Sequence, residues 1–157
     1  MTWIEFGPAG RQYGAPDFRL TSVEGETVSR AQFRQRTHLV LLFLPASWSP
    51  STSEALQRLV AAQDDLAEAS AVAYVLSAVA APSVPALPLL VDGDGAVRQR
   101  YVALFPPEQR PASDEPFVVL LDRYGTPAYT RRGLPDVGTI SEEILTRLWA
   151  LEYECPE

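Results

Sequence analysis

The sequence predicts an α/β layer sandwich, a central mixed β-sheet flanked by helices. Residues 38–44, 72–76 and 117–121 are near-continuous apolar runs, the mark of strands covered on both faces. Between and after them lie segments with apolar residues at helical spacing, and the chain closes on a hairpin followed by a helix. At 157 residues, 46% of them hydrophobic, the chain is long enough to bury its own core as one domain. Residues 1–13 read as an N-terminal extension and 153–157 as a frayed tail.

Residues 18–23 read as a strand, Glu24-Gly25-Glu26 as a turn and Thr27-Val28 as the return strand of an N-terminal hairpin. Ser29 and Gln32 have the spacing of a capping box for a short helix through Arg34. The run 38–44 is placed near the middle of the sheet. Pro50 suits the first position of a helix with Ser49 as its cap. Leu56, Leu59, Val60 and Ala67 give that helix an apolar stripe, broken by Gln63. After the strand 72–76, residues 78–88 are too rich in proline for a long helix and read as a connection.

A turn follows at Asp92-Gly93-Asp94-Gly95. Asp92 and Asp94 resemble the start of a calcium loop, but the glutamate spacing is missing, so turn formation is the expected role. Val97, Tyr101, Leu104 and Phe105 keep helical spacing until Pro106. Tyr124-Gly125 turns the strand 117–121 back into 128–130. Thr139 and Glu142 then have capping-box spacing for a last helix that turns Ile140, Ile144, Leu148 and Trp149 inward. The pairs Asp64-Asp65 and Glu142-Glu143 read as solvated faces.

Composition excludes several functions. The net charge is -7 and the 13 basic residues, all arginine, are scattered, which argues against a nucleic-acid partner. Without lysine there is no Schiff-base or P-loop chemistry. One cysteine, Cys155, allows no internal disulfide and no four-cysteine zinc site. No motif for a metal or other cofactor is present. No apolar run is long enough for a membrane span, and the N-terminus lacks a signal core, so a cytoplasmic protein is expected.

Three motifs in order resemble the peroxiredoxin (AhpC/TSA-type) branch of the thioredoxin-like superfamily. Gly14-Ala15-Pro16-Asp17-Phe18 is similar to that branch's G-x-x-A-P-D-F opening, two residues shorter. Residues 43–55, with Phe43, Pro45, Trp48, Ser49, Pro50, Thr52 and Ala55, are similar to its F-x-P-x-x-x-T/S-P-x-C loop. Residues 116–125 are similar to its F-x-I-D-x-x-G hairpin. The likeness spans roughly residues 14–152 and implies a thioredoxin-like fold.

The resemblance aligns the family's peroxidatic cysteine with Thr52, its peroxide-orienting threonine or serine with Ser49, and its loop proline with Pro45. A family arginine falls at about Pro116. The cysteine and the arginine are therefore both replaced. Read instead as a thioredoxin-type W-C-x-x-C, residues 48–52 lack both cysteines, and Pro116 takes the place of the proline beside that site. Hydroxyls cannot pass electrons to peroxide; they would need a neighbouring base to act as nucleophiles. The only histidine, His38, opens a strand whose six residues at ~3.3 Å each put it roughly 20 Å from the loop. It reads as a strand-end residue.

These considerations imply a degenerate site, free of thiol peroxidase chemistry, that binds a protein or small molecule around Pro45, Trp48, Ser49, Thr52 and Pro116. For Ser49 and Thr52 the competing role is helix capping, for Trp48 core packing, and for Pro116 a strand start. The alternative function is a thiol-dependent oxidoreductase that uses Cys155, across a homodimer if one forms. The acidic surroundings of Cys155 disfavour its thiolate.

Overall fold

The computed structural model describes residues 2–7, 14–79 and 87–153. It has one eight-stranded mixed sheet in the order β1-β8-β7-β4-β5-β6-β2-β3. The strands are β1 (Trp3–Glu5), β2 (Arg19–Ser22), β3 (Thr27–Ser29), β4 (His38–Phe43), β5 (Ala71–Ser77), β6 (Leu89–Val91), β7 (Phe117–Leu121) and β8 (Pro127–Arg132). The helices are α1 (Pro50–Ala61), α2 (Gln63–Glu68), α3 (Ala96–Val102) and α4 (Ile140–Glu152). β4 runs parallel to β5 and antiparallel to β7, and so lies near the middle as its sequence requires.

Strand alternation explains the apolar runs. Val40 and Leu42 of β4 join Val118 and Leu120 of β7 in a core with Leu56 and Leu59 of α1 and with Ile144 and Leu148 of α4. Leu39, Leu41 and Phe43 point the other way, into a second core with Val97 and Tyr101 of α3. The Gly14–Phe18 motif is held against this second layer. Ala15 N–H donates to the Gly125 carbonyl at 2.8 Å, and the Tyr101 hydroxyl donates to the Pro16 carbonyl at 2.6 Å. Burial pushes the Tyr101 phenol far above its ordinary pKa and keeps it a donor.

Several expected boundaries move. The N-terminal hairpin is β2–β3 at one edge, while the extension supplies β1 at the other edge, paired with β8. β1 and β6 are three residues each, too short to show a period. The apolar stripe of residues 56–67 is divided at Ala62 into α1 and α2. α3 ends at Val102; Leu104 and Phe105 keep their spacing through tighter turns, with Leu104 N–H on the Tyr101 carbonyl and Phe105 N–H on the Val102 carbonyl. The short helix after Ser29 is a 3₁₀ turn, Arg30–Phe33, and the Gln32 side chain accepts from Ser29 N–H at 2.9 Å.

The last helix corrects two expectations. Thr139 makes no side-chain cap; its hydroxyl donates to Glu143 at 2.6 Å, and the Asp136 carbonyl accepts from Thr139 and Ile140 N–H instead. Glu142 is exposed, but Glu143 is not a purely solvated residue. It also accepts from the Trp3 indole at 3.1 Å and pairs with Arg131 at 3.3 Å, tying β1 and β8 to α4.

Burial works against the Glu143 charge, but the hydrogen bonds from Thr139 and Trp3 and the charges of Arg131 and Arg147 outweigh it. Its pKa lies below the ordinary 4.5. The stability that this carboxylate contributes is complete above the unfolded pKa and is lost as pH falls through the lowered folded value. In urea titrations across pH, Glu143→Gln should be less stable than the native chain at neutral pH. The gap should close as the solution is acidified below about pH 4. A gap independent of pH would mean that Glu143 acts by shape alone.

Among the described residues, no helix is long and apolar enough to cross a membrane.

Candidate functional site

The site begins where β4 ends. Leu44 stays in the ladder, its N–H on the Leu76 carbonyl at 2.9 Å. Pro45 then ends the strand, since it has no N–H to donate. The chain turns through residues 45–49, and Trp48 folds back so that its indole N–H donates to the Pro45 carbonyl at 3.1 Å. Trp48 is half-buried against the core of α1 and α4, the packing role that its sequence left open beside recognition.

α1 starts as its sequence requires. Pro50 holds the first position and Ser49 Oγ accepts from Thr52 N–H at 3.2 Å. The same oxygen lies 2.9 Å from Ser51 Oγ and 3.1 Å from Thr52 Oγ1. Three hydroxyls therefore cluster on the first turn. Ser49→Ala should lower global stability by about 1 kcal/mol, the usual worth of such a cap. Urea denaturation measures this, and an unchanged midpoint would mean that water caps the helix equally well.

Thr52 faces a cavity of about 250 Å³ that Ser51, Pro116 and Asp136 also line, with Leu134 and Val137 as its apolar wall. Pro116 is fixed there because its carbonyl accepts from Gly133 N–H at 2.8 Å, one residue before β7 pairs with β8. Asp136 is exposed and sits in the loop whose carbonyl caps α4. Sequence reading did not single out Asp136, because nothing local distinguishes a loop aspartate that tertiary packing brings beside a distant helix.

Pro45 belongs to a different cavity, of about 180 Å³, on the α3 side of the sheet. Asp92 and Arg98 line it too. Asp92 is buried and accepts from Val97 N–H at 3.3 Å and Arg98 N–H at 2.9 Å, so the turn residue also caps α3. Arg98 reaches the Ala112 and Glu115 carbonyls at 2.8 and 2.6 Å, and its guanidinium lies 4.9 Å from the centre of the Phe117 ring. Burial depresses its pKa, against the pull of Glu115, Asp114 and Asp92. Arg132 is paired with Glu115 at 2.6 Å. Two arginines thus hold the segment before Pro116, both with protein partners.

The five expected site residues are therefore divided. Thr52 and Pro116 meet across one cavity, Ser49 is bonded to Thr52, and Trp48 is bonded to Pro45, which faces the other. His38 lies at the far end of β4, buried, with Nε2 2.9 Å from Glu152, which also pairs with Arg123. It is a strand-end residue with a structural partner. Cys155 lies outside the described residues.

Solved structures share this arrangement of strands and helices. Peroxiredoxin Q of Xanthomonas campestris is 21% identical over 95% of this chain and 97% of that one, with a TM-score of 0.71. Thioredoxin peroxidase I of Plasmodium yoelii is 20% identical over 92% of this chain and 95% of that one, with a TM-score of 0.72. Peroxidoxin BcpB of Mycobacterium tuberculosis is 17% identical over 88% and 95%, with a TM-score of 0.69. At these identities the likeness establishes a thioredoxin-like, peroxiredoxin-type fold. No curated protein sequence matches the chain. The profile of the AhpC/TSA family matches residues 12–126, which take in the Gly14–Phe18 motif, the hydroxyl loop and the β7 hairpin. With well over half of its length and all three motifs inside that match, the chain belongs to the AhpC/TSA family.

Proposed function

We propose that this family member has no thiol peroxidase activity and acts as a cytoplasmic binding or regulatory module. In this reading the cavity between the first turn of α1 and Pro116 takes a partner protein or a small molecule. The observation that carries it is Thr52. The residue aligned with the family's reactive cysteine is a hydroxyl on the first turn of a capped helix, facing a cavity of about 250 Å³. Neighbouring Ser49 and Ser51 hydroxyls and the Asp136 carboxylate give that cavity several hydrogen-bond acceptors and donors, but no soft nucleophile. Arg98, which lines the Pro45 cavity, and Arg132, paired with Glu115, are engaged by protein groups, Arg98 by the Ala112 and Glu115 carbonyls.

The test is peroxide consumption by the purified protein with a thiol reductant supplied, alongside Cys155→Ser. Neither protein should turn peroxide over. Turnover lost in the variant would favour the competing reading, an oxidoreductase working through its single cysteine. Turnover in both would remove the proposed function altogether.

A further inference from the structure

The cavity beside Thr52 is built by segments far apart in the chain, chiefly the first turn of α1 and the loop 134–137. That loop is pinned at both ends. Gly133 N–H donates to the Pro116 carbonyl at 2.8 Å, and the Asp136 carbonyl accepts from Thr139 and Ile140 N–H at 3.0 and 2.8 Å. The cavity is therefore formed before a ligand arrives, which lowers the cost of binding. At about 250 Å³ it falls below the ~300–1,000 Å³ of sites for drug-sized molecules, and it has room for one ring.

The hydroxyls on its wall have few hydrogens to give. Ser49 Oγ carries two lone pairs and one hydrogen, and Thr52 N–H takes one lone pair. Its contacts with Ser51 Oγ and Thr52 Oγ1 are both hydrogen bonds only if it donates to one and accepts from the other. So one of Ser51 and Thr52 gives its hydrogen to Ser49, and the other keeps an O–H for a ligand. Asp136 is exposed, and its carboxylate only accepts. Among the described residues, none of those lining the cavity is basic. The lining side chains thus offer several acceptors and one hydroxyl donor.

The charges oppose each other. The N-terminus of α1 carries about half a positive charge, and Asp136 a full negative one that solvent screens. An anion meets Asp136, and a cation meets the helix end. A neutral ligand with several donors suits both. Leu134 and Val137 leave an apolar wall for its C–H face.

We propose that this cavity binds a single neutral sugar ring through its hydroxyls. Two vicinal hydroxyls donate to the Asp136 carboxylate, and a third oxygen accepts from the free O–H of Ser51 or Thr52. The proposal rests on the reading of the cavity as a binding site and names the class of its ligand.

The probe is methyl α-mannopyranoside, titrated into the full chain and followed by amide chemical shifts. The shifts should centre on Ser51, Thr52 and Asp136, with a Kd of about 1–10 mM, the range open to about a dozen heavy atoms. Its 2,3-di-O-methyl ether keeps the ring but has no hydrogens to donate there, and should bind at least about tenfold more weakly. Asp136→Asn keeps the carbonyl that caps α4 and should weaken binding of the parent sugar about tenfold. Ser51→Ala combined with Thr52→Val removes the free O–H and should weaken it about fivefold. The ether is read on the native chain, so the test stands even if a substitution destabilises the fold.

Undiminished binding of the ether, or undiminished binding by Asp136→Asn, would overturn the proposal. So would tighter binding of mannose 6-phosphate or of propylammonium, which would give the cavity to a charged ligand and keep it a binding site. The absence of any shift in a lining residue at about 50 mM sugar would overturn it too. The binding-module reading is judged separately, since peroxide turnover by both the native protein and Cys155→Ser would remove it whatever the sugar does.

Discussion

Phe117→Ala should lower the stability of the protein by about 3–5 kcal/mol, a large share of what a domain of this size has. Phe117 is fully buried at the start of β7. Its ring stacks on Phe43 with centroids 4.5 Å apart and planes 8° from parallel, and Phe105 meets its edge at 5.5 Å. The Arg98 guanidinium lies over the same ring. Truncation opens a cavity between three elements and also removes a cation–π contact worth about 0.5–2 kcal/mol. Phe117→Leu keeps most of the volume and should lose less than half as much. Urea unfolding measures both. A double-mutant cycle with Phe43→Ala should give a coupling of about 0.5–1.5 kcal/mol. A loss below about 1.5 kcal/mol in Phe117→Ala would mean that this aromatic stack does not hold the middle of the sheet.

Thr52→Cys, made in a Cys155→Ser background, should create a reactive thiol where the native chain has none. Thr52 is the third residue of α1, its N–H is bonded to Ser49 Oγ, and its own Oγ1 is 3.1 Å from that oxygen. A sulfur placed there meets the positive end of a helix and a hydroxyl donor, and both favour thiolate. Its pKa should fall at least about one unit below the free-cysteine value of ~8.5. Oxidation by hydrogen peroxide at neutral pH should then run several-fold faster than that of an ordinary exposed thiol. Ultraviolet titration of the thiolate and loss of free thiol with time measure the two effects. An unshifted pKa would mean that the loop keeps the family's outline without its electrostatics, and that alignment through Thr52 says little about the site.

Much of this was legible in the chain. The β4, β5 and β7 runs are nearly continuous apolar stretches because both faces are covered, so their sequence announces a central strand without any alternation to confuse it. Ser49 and Pro50 mark the start of α1 through local chemistry, and the hydroxyls there follow directly. Asp92 was legible as a turn residue but not as the cap of α3, since that bond needs the helix to be in place. Thr139 shows the limit of spacing rules. Its capping partner by sequence is Glu142, yet Glu143 takes the hydroxyl, because Trp3 and Arg131 arrive from distant strands and draw that carboxylate inward.

The sequence by itself determined the order of the central strands and of the main helices, the family and the absence of sulfur at position 52, because these rest on residue identity and short-range pattern. Only the tertiary structure decided that Pro45 and Thr52, seven residues apart, face separate cavities, and that Pro116 and Asp136 complete the one beside Thr52. Those outcomes depend on strand order and register, which are fixed by packing between segments far apart in the chain and leave no local trace in any one of them.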